Sequence, residues 1–130
     1  MRGTVEAGDA FLLNPSKTAV VDHLWVVLAV YTPDYSLAVC ATIVNVTTVD
    51  RFVDRSCILR PGDPDAHPFI THESYVFYRG LREVEAGDTD TLQPGRKQTC
   101  IADALLSRMR IGLHRSQFTP RGFKAKVPQR

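Results

Sequence analysis

Two apolar runs separated by a short break constrain this chain more than any other feature. The first, Leu24 to Tyr31, reads L-W-V-V-L-A-V-Y, and the second, Leu37 to Thr48, reads L-A-V-C-A-T-I-V-N-V-T-T. Both are rich in β-branched and aromatic residues and are bounded by turn residues, so the pattern predicts strands. The break between them, Thr32-Pro33-Asp34-Tyr35-Ser36, is suited to a hairpin turn. Pro33 presets its φ, and the Asp34 carboxylate can bond the backbone that follows. A connection this short predicts antiparallel pairing. The segment Ala38 to Val46 is apolar enough to be covered on both faces.

Shorter elements flank this pair. Residues 1–8 read as a leader, Gly8-Asp9 as a turn and Ala10 to Leu13 as a strand. Asn14-Pro15-Ser16-Lys17 breaks that strand, and a loop from Ser16 to His23 follows. Val49 to Arg55 carries mixed charge and reads as a loop, Ser56 to Leu59 as a strand, and Pro61 to Ala66 as a loop. Pro68 biases His67 away from helical geometry, so Pro68 to Ile70 is expected to be extended. Ser74 to Tyr78 reads as a strand, Gly80 to Val84 as its exit, and Ala86 to Gly95 as a loop. Then the period changes. Ala102, Leu105, Leu106, Met109 and Leu113 fall on one face of a helix, with Thr99 as its N-cap candidate and Gly112 as its expected end.

Five or six short antiparallel strands followed by one helix predict a mainly β fold. The expected form is an SH3-like barrel, at least partly closed, with the C-terminal helix packed on it. At 130 residues the chain is one domain. Residues 8–113 form the expected barrel and helix, and residues 114–130 an extended basic tail.

Charge is distributed unevenly. The net charge is only +2, yet nine of the 16 basic residues follow Gly95, against a single acid, Asp103. A basic end can meet phosphates, a membrane surface or an acidic protein partner, or simply be a solvated tail. The three cysteines, Cys40, Cys57 and Cys100, are widely spaced and odd in number, which argues against a disulfide framework. Cys40 and Cys100 read as small buried residues, and a reducing cytoplasm is the expected location. No apolar run is long enough to cross a bilayer, so no membrane partner is expected.

Three stretches resemble the MazF/PemK toxins of bacterial toxin–antitoxin systems. They are Gly8-Asp9 before the first strand, Asp22-His23-Leu24-Trp25-Val26-Val27 leading into the second, and Val44-Asn45-Val46-Thr47-Thr48 ending the third. The resemblance covers roughly residues 8–113. It implies an SH3-like barrel, a homodimer, cleavage of single-stranded RNA without metal, and inhibition by an antitoxin protein. It also implies site roles for Thr47, Thr48 and His23. The chain departs from the family where the toxins carry an arginine followed by proline, because His23-Leu24 stands there. A histidine can move a proton but cannot clamp a phosphate as a guanidinium does.

Such cleavage uses the RNA 2′-hydroxyl as nucleophile. It needs a base, an acid for the leaving 5′-oxygen, and a donor for the charge on phosphorus. His23, His67, His72, Glu73 and Arg79 supply these types, with Arg79 as a phosphate ligand or, more plainly, as a partner of Glu83. His67 and His72 flank a segment that, extended, separates them by up to ~16–18 Å. One of them is therefore expected to act with His23 or Thr48. His72 is preferred, since Glu73 and the following strand anchor it, which leaves Thr47, His67 and Arg79 to bind substrate. The alternative is local bonding of both histidines within loops. A metal site is not expected, because His67, His72, Glu73 and Cys57 lack helical ligand spacing. No phosphate-binding glycine motif or nucleophile elbow is present, so no cofactor is expected. The competing function is a non-catalytic SH3-like binding module that grips a protein or nucleic acid through the basic C-terminal part.

Overall fold

The computed structural model describes residues 5–14 and 22–130. The predicted leader up to Thr4, the Pro15–Lys17 breaker and most of the Ser16–His23 loop lie outside the described residues.

The two apolar runs form β2 (His23–Tyr31) and β3 (Cys40–Thr48), which pair antiparallel. Their connection runs from Thr32 to Val39, longer than the sequence suggests, and Leu37 and Val39 in it are exposed. On one edge of β2 lies β1 (Ala10–Leu13), followed by β7 (Lys97–Gln98). On the other side β3 is shared. Its first half pairs β6 (Arg82–Glu85), and its last three residues pair β5 (Ser74–Val76), which in turn pairs β4 (Ile58–Leu59). Strand β6 falls where the sequence suggests only an exit turn, and β7 follows the expected loop Ala86 to Gly95 where no strand is anticipated. Each has too few apolar residues to be recognised, and each is a strand because a neighbour offers it an unpaired edge.

The predicted closure is corrected by this topology. The described strands form one open antiparallel sheet whose hydrogen-bonded path ends at β4 and β7. Both end strands are two residues long, which limits the edge they expose.

Apolar residues cover both faces of the central pair, as the continuous runs predict. Leu24, Val26, Val44, Val46 and Val76 pack beneath α1 (Asp103–Arg115), against Leu105, Met109 and Leu113. Trp25, Val27, Ala41 and Ile43 form the opposite layer with Phe11, Leu13, Val84 and Leu92. A bulge between Val27 and Ala29 breaks the alternation, so that Leu28 and Ala29 both join the helix-side core. The Leu28 carbonyl accepts a bond from Arg110 Nε at 2.9 Å.

The helix begins later than expected, with Ala102 in the cap position, and runs through Gly112 rather than ending there. Residues 116–130 are not an extended tail. Val127 is buried in the core, Phe123 packs on it, and Ser116 Oγ donates to the buried Asp54 carboxylate at 2.5 Å. The apolar pair Phe123 and Val127 outweighs the charges around it. Cys100, expected to be buried, is exposed, and its thiol donates to Asp9.

Candidate functional site

The ends of β2, β3 and β5 meet at one rim of the sheet. Leu24 opposes Val46 and Thr48 opposes Ser74, which brings the start of β2 beside the end of β3. His23 pairs with Leu13 and by alternation falls on Thr47's side, so it meets the cleft at the rim of the sheet. The segment from Pro68 to His72 closes the other side. Together they bound a cleft of about 380 Å³, lined by Asp22, His23, Thr48, Phe69, His72 and Ser74 among others. Thus His23, Thr48 and His72 share one cleft.

Two devices position the loop wall. Arg108 on α1 forms a fork with Asp65, Nε to Oδ2 at 2.9 Å and a second bond at 3.0 Å, and also donates to the Ile58 carbonyl at 3.0 Å. The guanidinium holds the Asp65 carboxyl below the usual range, against the opposing effect of burial. Further on, His67 is buried. Its Nε2 meets the Thr99 carbonyl at 2.7 Å and its Nδ1 meets the Phe69 N–H at 3.0 Å. A carbonyl only accepts and an amide N–H only donates, so the proton belongs on Nε2.

His72 itself is exposed. Its Nδ1 lies 3.1 Å from the Thr71 hydroxyl, and the Ser74 hydroxyl donates to its carbonyl at 2.9 Å. The neighbouring Glu73 pairs with Arg60 at 3.1 Å.

The other expected residues are placed elsewhere. Thr47 points to the face opposite Thr48, because successive strand residues alternate. There its hydroxyl accepts a bond from Asn45 Nδ2 at 3.2 Å, with Tyr75 across the ladder. His67 does not line the cleft; both ring nitrogens are engaged in holding the chain. Arg79 is also away from it. Its guanidinium stacks over the rings of Phe118, at 4.6 Å, and Phe52, at 5.2 Å. Its expected partner Glu83 pairs with Lys126 instead.

Two residues not anticipated belong to this region. Asp22 lines the cleft and pairs with Arg96, whose Nε donates to the Leu12 carbonyl at 3.0 Å. Arg96 brings a guanidinium to the neighbourhood of His23 from a distant part of the chain, and no local pattern signals that. Phe69 is the second, and Pro68 before it was the only hint of its placement.

The two buried cysteines are poor nucleophiles, since burial pushes both thiols up, Cys57 to about 11. A larger hollow of about 640 Å³ lies by the opposite layer, lined by Val5, Phe11, Val30 and Leu92 beside the Asp9–Lys97 pair, and it contains no histidine. Among the described residues no group of three His, Cys, Asp or Glu is placed to hold a metal, and no helix is long and apolar enough to cross a membrane. Comparison with known protein families, curated proteins and solved structures finds no match to this chain.

Proposed function

We propose that the protein is a divergent MazF/PemK-like endoribonuclease that cleaves single-stranded RNA without metal. The observation that carries this reading is the shared cleft of His23, Thr48 and His72. In the reaction one imidazole takes the proton of the 2′-hydroxyl, and its oxygen attacks phosphorus. The bond to the 5′-oxygen breaks as the other imidazole protonates it, leaving a 2′,3′-cyclic phosphate and a 5′-hydroxyl. The Thr48 hydroxyl donates to a phosphate oxygen. Arg96 stands behind Asp22 and is paired with its carboxylate, and no arginine or lysine is among the described residues lining the cleft, so the charge on phosphorus falls to the Thr48 hydroxyl and the imidazoles. The SH3-like relationship, a homodimer, an antitoxin that covers the cleft and a cytoplasmic setting all belong to this proposal. The meander of β1, β2 and β3 with a C-terminal helix on one face supports the first of these.

The test is incubation of the purified protein with pooled single-stranded RNA in the presence of a chelator. Fragments ending in cyclic phosphate are expected from the native protein. Their yield should fall at least about 100-fold for His72→Ala and for His23→Ala, the usual contribution of an acid or base. Absence of cleavage by the native protein, or full cleavage by both variants, overturns the reading.

The alternative, a non-catalytic module, is favoured by one observation. The segment carrying Arg121 and Lys124 is anchored by Phe123 and Val127, which presents two exposed cations on a fixed surface. Retention of RNA or an acidic protein without cleavage, lost in Arg121→Ala/Lys124→Ala, would identify that function.

A further inference from the structure

We infer that Phe69 is a stacking platform for one nucleobase of a single-stranded substrate, and that buried His67 is the residue that positions it. The inference rests on the reading of the cleft as an RNA site and specifies how that site would hold a base.

Phe69 is 42% exposed, and among the described large apolar residues that are exposed it alone lines the histidine cleft. Phe52, similarly exposed, is occupied by Arg79, Tyr75 and Phe118, whereas Phe69 has no ring or cation partner among the described residues. The platform is nevertheless fixed. The Phe69 N–H donates to His67 Nδ1 at 3.0 Å, and the Ile70 N–H donates to the His67 carbonyl at 2.9 Å. Ile70 is itself buried in the core, and the His67 ring is tied through Nε2 to Thr99, just before the helix. An aromatic side chain on a fixed stretch of backbone, in a cleft also lined by His23, His72 and Thr48, combines a flat apolar face with proton-transfer groups. A nucleobase attached to its sugar and phosphate presents the matching sequence of surfaces. The cleft has room for roughly one such unit, since sites of a few hundred Å³ hold single small ligands. Every base has a π face, so the platform by itself selects for an unpaired base and not for one letter.

The experiment uses short 2′-O-methyl oligonucleotides, which cannot be cleaved, and measures their affinity for the full chain by fluorescence anisotropy. Phe69→Ala should weaken binding about 5- to 150-fold, the usual range for loss of one base–aromatic stack, and Phe69→Tyr should restore it. With an abasic oligonucleotide, native protein and Phe69→Ala should bind equally. In a Phe69→Trp protein, the added emission should change on binding the normal oligonucleotide and not the abasic one. His67→Ala in that background should abolish the change, and His67→Asn, which can still accept the residue-69 N–H, should recover it. Native-like affinity of Phe69→Ala, or equal loss on the abasic chain, overturns the platform while leaving the cleavage reading intact. Failure of the native protein to bind the oligonucleotide overturns both.

Discussion

The Tyr78 hydroxyl donates to the main-chain carbonyl of Met109 at 2.6 Å, tying the 3-10 turn after β5 to the middle of the helix. Tyr78 is fully buried, and burial pushes its phenol far above the ordinary range, so it remains a donor. Gly112, one turn further along α1, makes the approach possible. A Cβ there would overlap that hydroxyl and stand 3.0 Å from Cys57 Cβ and from the Ser56 carbonyl.

Gly112→Ala should therefore destabilise the protein by about 1–3 kcal/mol through overpacking, although alanine favours a helix by about 1 kcal/mol. Tyr78→Phe should cost about 1 kcal/mol for the lost bond. The two should couple: removal of the hydroxyl makes room for the methyl, so the double variant should be more stable than the sum of the single losses implies. Chemical denaturation of all four proteins measures this, and strict additivity would disprove the steric account.

Leu105 is buried at 1% exposure against β-strand residues such as Val26 and Val44. Leu105→Ala should lower stability by about 2–5 kcal/mol. An unchanged thermal melt would show that the helix contributes nothing to the core.

Lys126 clasps the C-terminal segment to the β2–β3 hairpin. Its Nζ meets Glu83 Oε1 at 2.8 Å and the Tyr35 hydroxyl at 2.6 Å, and Tyr31 donates to the same Glu83 oxygen at 2.8 Å. Burial would raise the Glu83 pKa, but the bonds from Lys126, Tyr35 and Tyr31 together hold it below its ordinary value. Glu83 first, and then Tyr35, raise Lys126. A lowered carboxylate contributes stability above its unfolded pKa and loses it as pH falls through the folded value. A raised ammonium contributes below its unfolded pKa and loses it as pH rises through the folded value. The clasp should thus be at full strength in the middle of the pH range. Lys126→Met should cost about 1–2 kcal/mol near neutrality, and the difference from native protein should shrink in acid. A difference that stays constant down to strong acid would refute the pairing.

Thr47 and Thr48 are adjacent in sequence and opposed in space. If the cleft cleaves RNA, Thr48→Val should reduce the cleavage rate about 10-fold or more, as for loss of a donor to developing charge. Thr47→Val should leave the rate within about twofold, because its hydroxyl lies on the other face with Asn45. Equal effects of the two would show that the strand does not set the site.

Much of the framework was legible in local sequence. The runs at Leu24–Tyr31 and Cys40–Thr48 specify strands by their own residue types, while Leu37 to Val39, read as part of the second, lie in the connection, with Leu37 and Val39 exposed. The spacing of Leu105, Met109 and Leu113 specifies the buried face of a helix by its own period. These properties are set within a few residues of chain, and the antiparallel pairing of the two runs was legible although the connection between them, Thr32 to Val39, is longer than the turn residues suggest. His23 begins β2 and Thr48 ends β3, strands that the pattern reveals, whereas His72 lies in the loop before β5, outside any strand.

What tertiary structure alone decided was everything that depends on a partner far along the chain. The charged strand β6 exists because β3 is long enough to offer a second edge. The alternation of Thr47 and Thr48 acquires meaning only once the helix covers one face. His67 became a structural anchor because Thr99 arrives beside it, and Arg96 reaches Asp22 across 74 positions. The basic end docks because Phe123 and Val127 find an apolar surface whose location no neighbour in sequence encodes. Local pattern determines which backbone forms, since hydrophobic period and turn chemistry act within a few residues. Which side chains are left facing a cleft is determined by burial and hydrogen bonding between segments, and those are known only when the segments meet.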